Sequence, residues 1–287
     1  MSASAAEAIS PNERPFLYTD ADFERVRKLI HAHAGISLAD SKRDMVYSRL
    51  SRRLRATNIG SFRDYLDRLE AGSGDDWQEF TNTLTTNLTS FFREAHHFDA
   101  LYKHLQAQPR GAKPLLIWCA AASTGEEPYS LAIIACEAFD SDTPPVRILA
   151  TDIDTNVLQQ GERGVYTEER IEELSTARKQ RFFQRGSGAN AGLCRVREPL
   201  RRLITFRPLN LLDERWPMHG PFTAIFCRNV MIYFDKPTQY RILQRAVPLL
   251  ARDGLFFAGH SESFFHAADL VVPCGHTIYR PAPVRCT

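Results

Sequence analysis

Two adjacent carboxylates, Glu126 and Glu127, follow a turn of small residues, Ala120-Ala121-Ala122-Ser123-Thr124-Gly125. Small residues let a ligand approach the backbone closely. The apolar run Leu115-Leu116-Ile117-Trp118 precedes the turn, and Tyr129, Leu131, Ile133 and Ile134 begin a helical apolar face after it. A strand, a small turn and a helix make the unit at which open α/β sheets bind nucleotide-like ligands. The turn has neither a full G-x-G-x-x-G nor a G-x-x-x-x-G-K-[ST]. Two glutamates without a lysine cradle polyphosphate poorly. They suit a nucleoside with a cationic group, and S-adenosylmethionine, with its sulfonium and α-ammonium, meets that description. An ordinary βα turn with solvated glutamates fits these residues equally well.

Two further segments carry chemistry. VRILAT at 146–151 is a second apolar run that ends at Asp152 in TDID. A carboxylate closing a second strand can accept both ribose hydroxyls, or it can cap a helix over 155–160. Asp152 and Asp154 can divide those tasks. The stretch Thr85-Thr86-Asn87-Leu88-Thr89-Ser90-Phe91-Phe92-Arg93-Glu94 is dense in hydroxyl and amide groups. It suits hydrogen bonding to a ligand, or a helix cap at Thr89 or Ser90 with Phe91 and Phe92 packed behind. His96 and His97 are adjacent, as neighbours point apart on a helix, and His31 and His33 lack the i, i+4 spacing of helical metal pairs. No metal is expected.

The elements that must position these groups alternate. FTAIFC at 222–227 is a third clear strand and LFFAG at 255–259 a fourth, with a helix over 236–250 between them and a further strand at 203–206. Strands alternating with helices predict a parallel sheet covered on both faces. The first ~90 residues differ, with helical patterns and no convincing strand. Asp20 caps a helix bearing Phe23, Val26, Leu29 and Ile30. A second runs from Asp40 to Arg55, Ser61 with Asp64 resembles a capping box for a third, and Trp77, Phe80 and Leu84 mark a fourth. On the second helix Lys42, Arg49 and Arg53 fall within about 40° of each other. Such a basic stripe can dock an acidic helix, or be a solvated face. From Arg185 to Arg197 the chain is Gly-rich and then alternates apolar and basic, as an antiparallel hairpin does.

The chain has 287 residues, 44% hydrophobic and 24% charged, with a net charge of +2. That is a globular profile, too near neutral for a global nucleic-acid binder. No apolar stretch reaches membrane-spanning length. The N-terminal MSASAAEAISPNERPF has neither a basic nor an apolar signal region, so no signal peptide is expected. Six cysteines without a C-x-x-C pair point to the reducing cytosol, with Cys119 and Cys227 as core thiols.

NLTSFFRE, AAASTGEEPYS, TDID and FCRNVMIYF, in this order and at these intervals, closely resemble the bacterial chemotaxis receptor methyltransferases, the CheR family. The resemblance spans nearly the whole chain. It implies a Rossmann-like class I S-adenosylmethionine-dependent methyltransferase sheet, a helical receptor-docking domain over 1–90 and a catalytic domain over 91–287, with a small antiparallel β-subdomain at about 183–206. It implies transfer of a methyl group from S-adenosylmethionine to glutamate side chains on the cytoplasmic helices of chemoreceptors, leaving S-adenosylhomocysteine. By the same resemblance the cofactor contacts fall on Asn87, Thr89, Arg93, Glu127, Asp152, Asn210, Leu211, Arg228 and Asn229. Glu127 takes the ammonium, Asp152 the ribose, and Asn210-Leu211 flank the adenine. Arg93 and Tyr233 lie near the methyl group and the incoming carboxylate. The family's β-subdomain adds a receptor's C-terminal pentapeptide as an extra strand, which implicates Gly186, Gly188, Arg195 and Arg197. Lys42, Arg49 and Arg53 then become a docking edge for the receptor helices. A cytoplasmic monomer is expected. Amino-methylating nucleic-acid enzymes of this fold carry an [ND]-P-P-[FYW] run, whereas the corresponding residues here are Arg228-Asn229-Val230-Met231. Pro273-Cys274 stands far from the ligand turn in sequence and is read as structural.

Overall fold

The structure is a computed structural model and describes residues 15–72, 74–109, 111 and 113–283. The stretch without a signal-peptide pattern lies outside these residues through position 14. The chain divides into two units, Met1–Ala32 with Leu38–Leu84 and His33–Ser37 with Thr85–Thr287.

Unit one is helical. Helix α1 (Asp20–Ala34) buries Phe23, Val26 and Ile30, and α2 (Arg43–Thr57) buries Val46, Leu50 and Leu54. The second helix begins three residues later than its pattern predicts, because Asp40–Lys42 form a 3₁₀ turn. Helix α3 (Phe62–Ala71) starts where Ser61 Oγ accepts from the Asp64 N–H at 3.1 Å, and α4 (Gly74–Leu84) closes the unit. The basic stripe of α2 is only in part a free edge. Arg53 pairs with Glu79 at 3.2 Å, and Arg49 donates to the Thr83 carbonyl at 3.4 Å. Both are half-buried, and of the three stripe residues only Lys42 is exposed. Helical angle alone does not report that α4 supplies partners for the stripe.

Unit two is the α/β part. Its first helix, α5 (His96–Ala107), is followed by β1 (Leu115–Cys119), α6 (Glu126–Ala138), β2 (Val146–Asp152), α7 (Thr155–Arg163) and β3 (Val165–Thr167). Then come α8 (Thr176–Phe182), β4 (Phe183–Arg185), β5 (Leu193–Val196), α9 (Glu198–Arg201) and β6 (Ile204–Pro208). Strand β7 (Phe222–Phe226), α10 (Lys236–Ala246), β8 (Leu250–Phe257), β9 (Val271–Gly275) and β10 (Ile278–Pro281) complete it. The seven-stranded sheet runs β6-β2-β1-β7-β8-β10-β9, parallel from β6 to β8 and antiparallel beyond. Alternation along β1 sends Ile117 and Cys119 to one face, with Leu101, Leu131 and Ile134, and Trp118 to the other, with Ile225, Leu243 and Phe256. Helix α10 ends at Ala246, four residues short of the pattern's limit. Pro248 lacks the N–H that a continuing helix needs, and a 3₁₀ turn takes over.

The small antiparallel sheet has three strands, in the order β3-β5-β4. Its extent corrects the 183–206 estimate at both ends. The short run Val165–Thr167, which carries no visible alternation, supplies an edge strand, and Ile204 onward belongs to the large sheet. Arg195 sits on the central strand, exposed, and Arg197 Nε donates to the Phe183 carbonyl at 3.1 Å. Gly188 has φ +58°, and Gly186 N–H donates to the Leu193 carbonyl at 2.8 Å. Pro273 and Cys274 lie in the outermost strand of the large sheet, with Cys274 exposed. The five described cysteines are free thiols, and Cys119 and Cys227 are buried. Among the described residues no helix is long and apolar enough to cross a membrane, and no group of three or more His, Cys, Asp or Glu is placed to hold a metal ion.

Candidate active site

The carboxyl ends of the neighbouring strands β1, β2 and β7 deliver the charged groups of the site: Glu126 and Glu127, Asp152 and Asp154, and Arg228. After β1 the chain passes through Ser123 (φ +47°) and Gly125 (φ +99°) into α6. A Cβ at Gly125 would stand 2.7 Å from the Tyr166 hydroxyl and 2.8 Å from the Gly161 Cα, so only glycine fits. The turn aims the two glutamates apart. Glu126 is fully buried, with Thr124 Oγ1 donating to it at 2.6 Å and Arg170 paired at 3.0 Å. Glu127, 9% exposed, points along the sheet to Arg228 from the end of β7, with 2.5 Å between Oε2 and Nη1. The Cys119 thiol donates to the other Glu127 oxygen at 3.2 Å.

Arg228 is 4% exposed and has a second carboxylate, Glu94, at 3.2 Å, and it donates to the Arg93 carbonyl at 2.5 Å. Burial pushes the Glu94 carboxyl up, but His260, Arg228 and Asn229 outweigh it and hold the carboxyl down at about 2. Asn229 itself has φ +58° and donates to Glu94 at 3.3 Å. Behind this group His97 is fully buried against Phe257, with Nε2 2.9 Å from Thr277 Oγ1. Burial, then Arg228, pushes His97 down to about 3, so it is neutral at physiological pH.

The helix-cap role falls to Asp154 and not to Asp152. Asp154 caps α7, accepting from the N–H groups of Asn156 and Val157. Asp152 accepts from the Ser123 N–H at 2.8 Å and the Asp154 N–H at 2.9 Å, and no basic side chain pairs with it among the described residues. The Leu209 N–H donates to the Asp152 carbonyl, which brings Asn210 and buried Leu211 beside it. The Asn210 side chain accepts from the Leu212 N–H within its own loop and donates to the His33 carbonyl at the end of α1.

The polar linker is not a helix cap. Helix α5 starts at His96 with no side-chain cap, and residues 85–95 run irregularly along the site. Asn87 Nδ2 and Thr85 Oγ1 both donate to Asp154, and Ser123 Oγ donates to the Asn87 carbonyl. The Thr89 carbonyl accepts from Arg170. Phe92 (φ +54°) and Glu94 (φ +59°) hold left-handed backbone, which costs about 1–3 kcal/mol each. Phe92 N–H finds Ser130 Oγ at 3.0 Å, and Glu94 finds Arg228, so the surroundings enforce the strain. Arg93 is half-buried, with Nη1 donating to the Leu88 carbonyl at 3.0 Å. Tyr233 is half-buried on the turn after Asn229, and its carbonyl accepts from the Ser37 N–H.

The sequence reading did not single out Glu94, Arg170 or Glu262. Glu94 stands beside Arg93 in a polar motif, which was a usable signal. Arg170 and Glu262 act through tertiary contacts that spacing does not reveal.

The CheR methyltransferase SAM binding domain matches residues 87–279, and the CheR methyltransferase all-alpha domain matches residues 21–85. This chain belongs to the CheR methyltransferase family. It is 56% identical over 267 residues to chemotaxis protein methyltransferase 2 of Pseudomonas aeruginosa, covering 93% of this chain and 95% of that one. It is 50% identical over 262 residues to the Escherichia coli chemotaxis protein methyltransferase, covering 91% of each. The Borreliella burgdorferi relative is 34% identical, with 85% of this chain and 89% of that one covered. The chain is thus a chemotaxis methyltransferase with an S-adenosylmethionine-binding domain.

The residues present fit that cofactor. Asp152 is a buried carboxylate paired only with backbone N–H groups, and Arg228 Nε is buried without a hydrogen-bond partner. Burial raises the Asp152 carboxyl to about 6. A ligand whose hydroxyls donate to this carboxylate would favour the ionised form, and its binding would release a proton near that pH. Affinity for S-adenosylhomocysteine is therefore expected to be constant above about pH 7 and to fall as pH drops through 6, by up to about tenfold per unit. Calorimetric titration across that range checks this, and Asp152→Asn is expected to flatten the profile while weakening binding throughout.

Proposed function

We propose that this CheR methyltransferase esterifies glutamate side chains on the cytoplasmic helices of chemoreceptors. The observation that carries the reading is the Glu127–Arg228–Glu94 array beside the 120–125 turn, in a chain of this family. When bound, S-adenosylmethionine supplies an electrophilic methyl group whose bond to sulfur breaks as a carboxylate oxygen attacks. A glutamate acceptor has a reference pKa of ~4.3 and is already ionised, so the reaction needs no general base. Catalysis is then positioning and exclusion of water, which can supply ~7–11 kcal/mol in favourable cases.

In this reading Glu127 holds the donor's α-ammonium, Asp152 takes the ribose hydroxyls, and Leu211 flanks the adenine. Arg228 pairs with Glu127 and orients it. Asn87 and Thr89 act mainly through backbone and through Asp154, placing the linker against the turn. Arg93 and Tyr233 orient the acceptor. Lys42 and the basic residues of α2 form a docking edge that affects encounter more than chemistry.

Radiolabelled S-adenosylmethionine with receptor-bearing membranes tests the activity. Base-labile label released as methanol is expected, and it should vanish on receptors whose acceptor glutamates are replaced by alanine. Base-stable label, or equal labelling of bulk RNA, would overturn the reading. The β-subdomain is proposed to take a receptor C-terminal pentapeptide on an edge strand through the surroundings of Gly186, Gly188, Arg195 and Arg197. Titration with an aromatic, acidic pentapeptide should saturate below high micromolar concentration.

A further inference from the structure

The chain leaves β7 through Arg228 and Asn229 and enters the 3₁₀ turn Met231–Tyr233, whose own N-cap residue, Val230, makes no side-chain cap. Tyr233 and Phe234 N–H bond locally to the Val230 and Met231 carbonyls, whereas those of Asn229 and Ile232 are held from elsewhere. Glu262, 4% exposed, accepts from Asn229 N–H at 3.0 Å and Gly259 N–H at 2.5 Å on one oxygen, and from Ile232 N–H at 3.2 Å on the other. The carbonyls are held by a second buried side chain. Gln239 Nε2 donates to Met231 O at 2.9 Å and Phe234 O at 3.0 Å. A Cβ on Gly259 would stand 2.9 Å from Asn229 N, so the segment rests on the end of β8 without slack.

We infer that Glu262 and Gln239 are positioning residues that hold the Tyr233-bearing turn in register for methyl transfer. Stabilising the turn would need only a short local cap. A buried carboxylate reaching back 30 and 33 positions to Ile232 and Asn229 fixes where the turn sits relative to the sheet. Arg228 has independent anchors in Glu127, Glu94 and the Arg93 carbonyl. Loosening the clamp therefore displaces the far end of the segment, Ile232 and Tyr233, rather than the donor side. The inference rests on the proposal that Tyr233 orients the acceptor.

The test uses the full-length enzyme with receptor membranes. Glu262→Gln keeps the size but cannot accept on both atoms, and kcat is expected to fall about tenfold or more. Thermal midpoint, KM for receptor and Kd for S-adenosylhomocysteine should change little, by less than about threefold for the two constants. Gln239→Met removes both donors at similar volume and should act the same way, which covers a Glu262 variant that does not fold. Tyr233→Phe is the reference, and the Glu262→Gln effect should largely disappear in its background because the two act as a unit. A Tyr233→Phe enzyme with unchanged kcat would overturn the role of Tyr233 itself. If Tyr233→Phe loses turnover while the clamp variants keep kcat within about twofold, lose donor affinity equally, or multiply with it, the clamp is overturned alone.

Discussion

Arg228→Met is expected to destabilise the fold by about 3–5 kcal/mol and to abolish donor-product binding. The Arg228 side chain is fully buried and pairs with both Glu127 and Glu94, each with a side chain 11% exposed. Removing it takes away the cation that the two carboxylates share and leaves Glu94 with only His260 and Asn229, and Glu127 with only the Cys119 thiol. The cost should depend on pH with a definite sign. In the native chain Glu94 is held at about 2, so its ionised form contributes stability that is present above the unfolded carboxylate value and lost as pH falls toward 2. In Arg228→Met the same carboxyl keeps His260 and Asn229 but loses one of the groups that hold it down, so less of that stability remains at neutral pH. The deficit should therefore shrink on acidification to about pH 4. The triple variant Glu94→Gln, Glu127→Gln, Arg228→Met should recover most of the stability and none of the activity. Denaturant unfolding and calorimetry with S-adenosylhomocysteine read the two effects separately. An Arg228→Met protein within about 1 kcal/mol of the parent would show that the array does not act by charge compensation.

What the sequence disclosed follows from the range of the forces involved. Strands β1, β2, β7 and β8 are buried on both faces and read as apolar runs, so the parallel sheet was legible. The Ser61 cap was legible because its partner lies three residues away. Strand β3 was not, since three residues cannot display alternation and its pairing partner lies about thirty positions on. The Asp152/Asp154 division was half-legible. Adjacency to α7 predicted a cap, but which carboxylate turned back depended on the Ser123 N–H from another strand's turn. The partners of the α2 stripe were not legible, because Glu79 and the Thr83 carbonyl that meet Arg53 and Arg49 come from a separate helix. The motif residues were recognisable by type and interval, whereas the side chains that hold them, Glu262, Gln239 and Arg170, bond to backbone groups and leave no pattern.

Arg93→Ala is expected to lower kcat by about 100-fold or more, a barrier increase of roughly 2.7 kcal/mol, while stability falls by about 1 kcal/mol or less. The asymmetry follows from its contacts. The side chain is half-buried and makes one hydrogen bond, to the Leu88 carbonyl, whereas the residue's part in the charged array is played by its backbone carbonyl, which alanine retains. Bidentate contact with the acceptor would anchor a carboxylate but also drain its nucleophilicity. One guanidinium nitrogen is engaged by the Leu88 carbonyl, so in the proposed role Arg93 would orient the acceptor without neutralising both oxygens. Arg93→Lys separates the alternatives, because it retains charge and loses the fork. If orientation is the role, lysine should recover little of kcat. If charge alone matters, lysine should recover most of it, and alanine should raise KM for receptor more than it lowers kcat. Steady-state rates on receptor membranes, with S-adenosylhomocysteine affinity measured alongside, decide between them, and an Arg93→Ala enzyme active within severalfold of the parent would remove Arg93 from the mechanism.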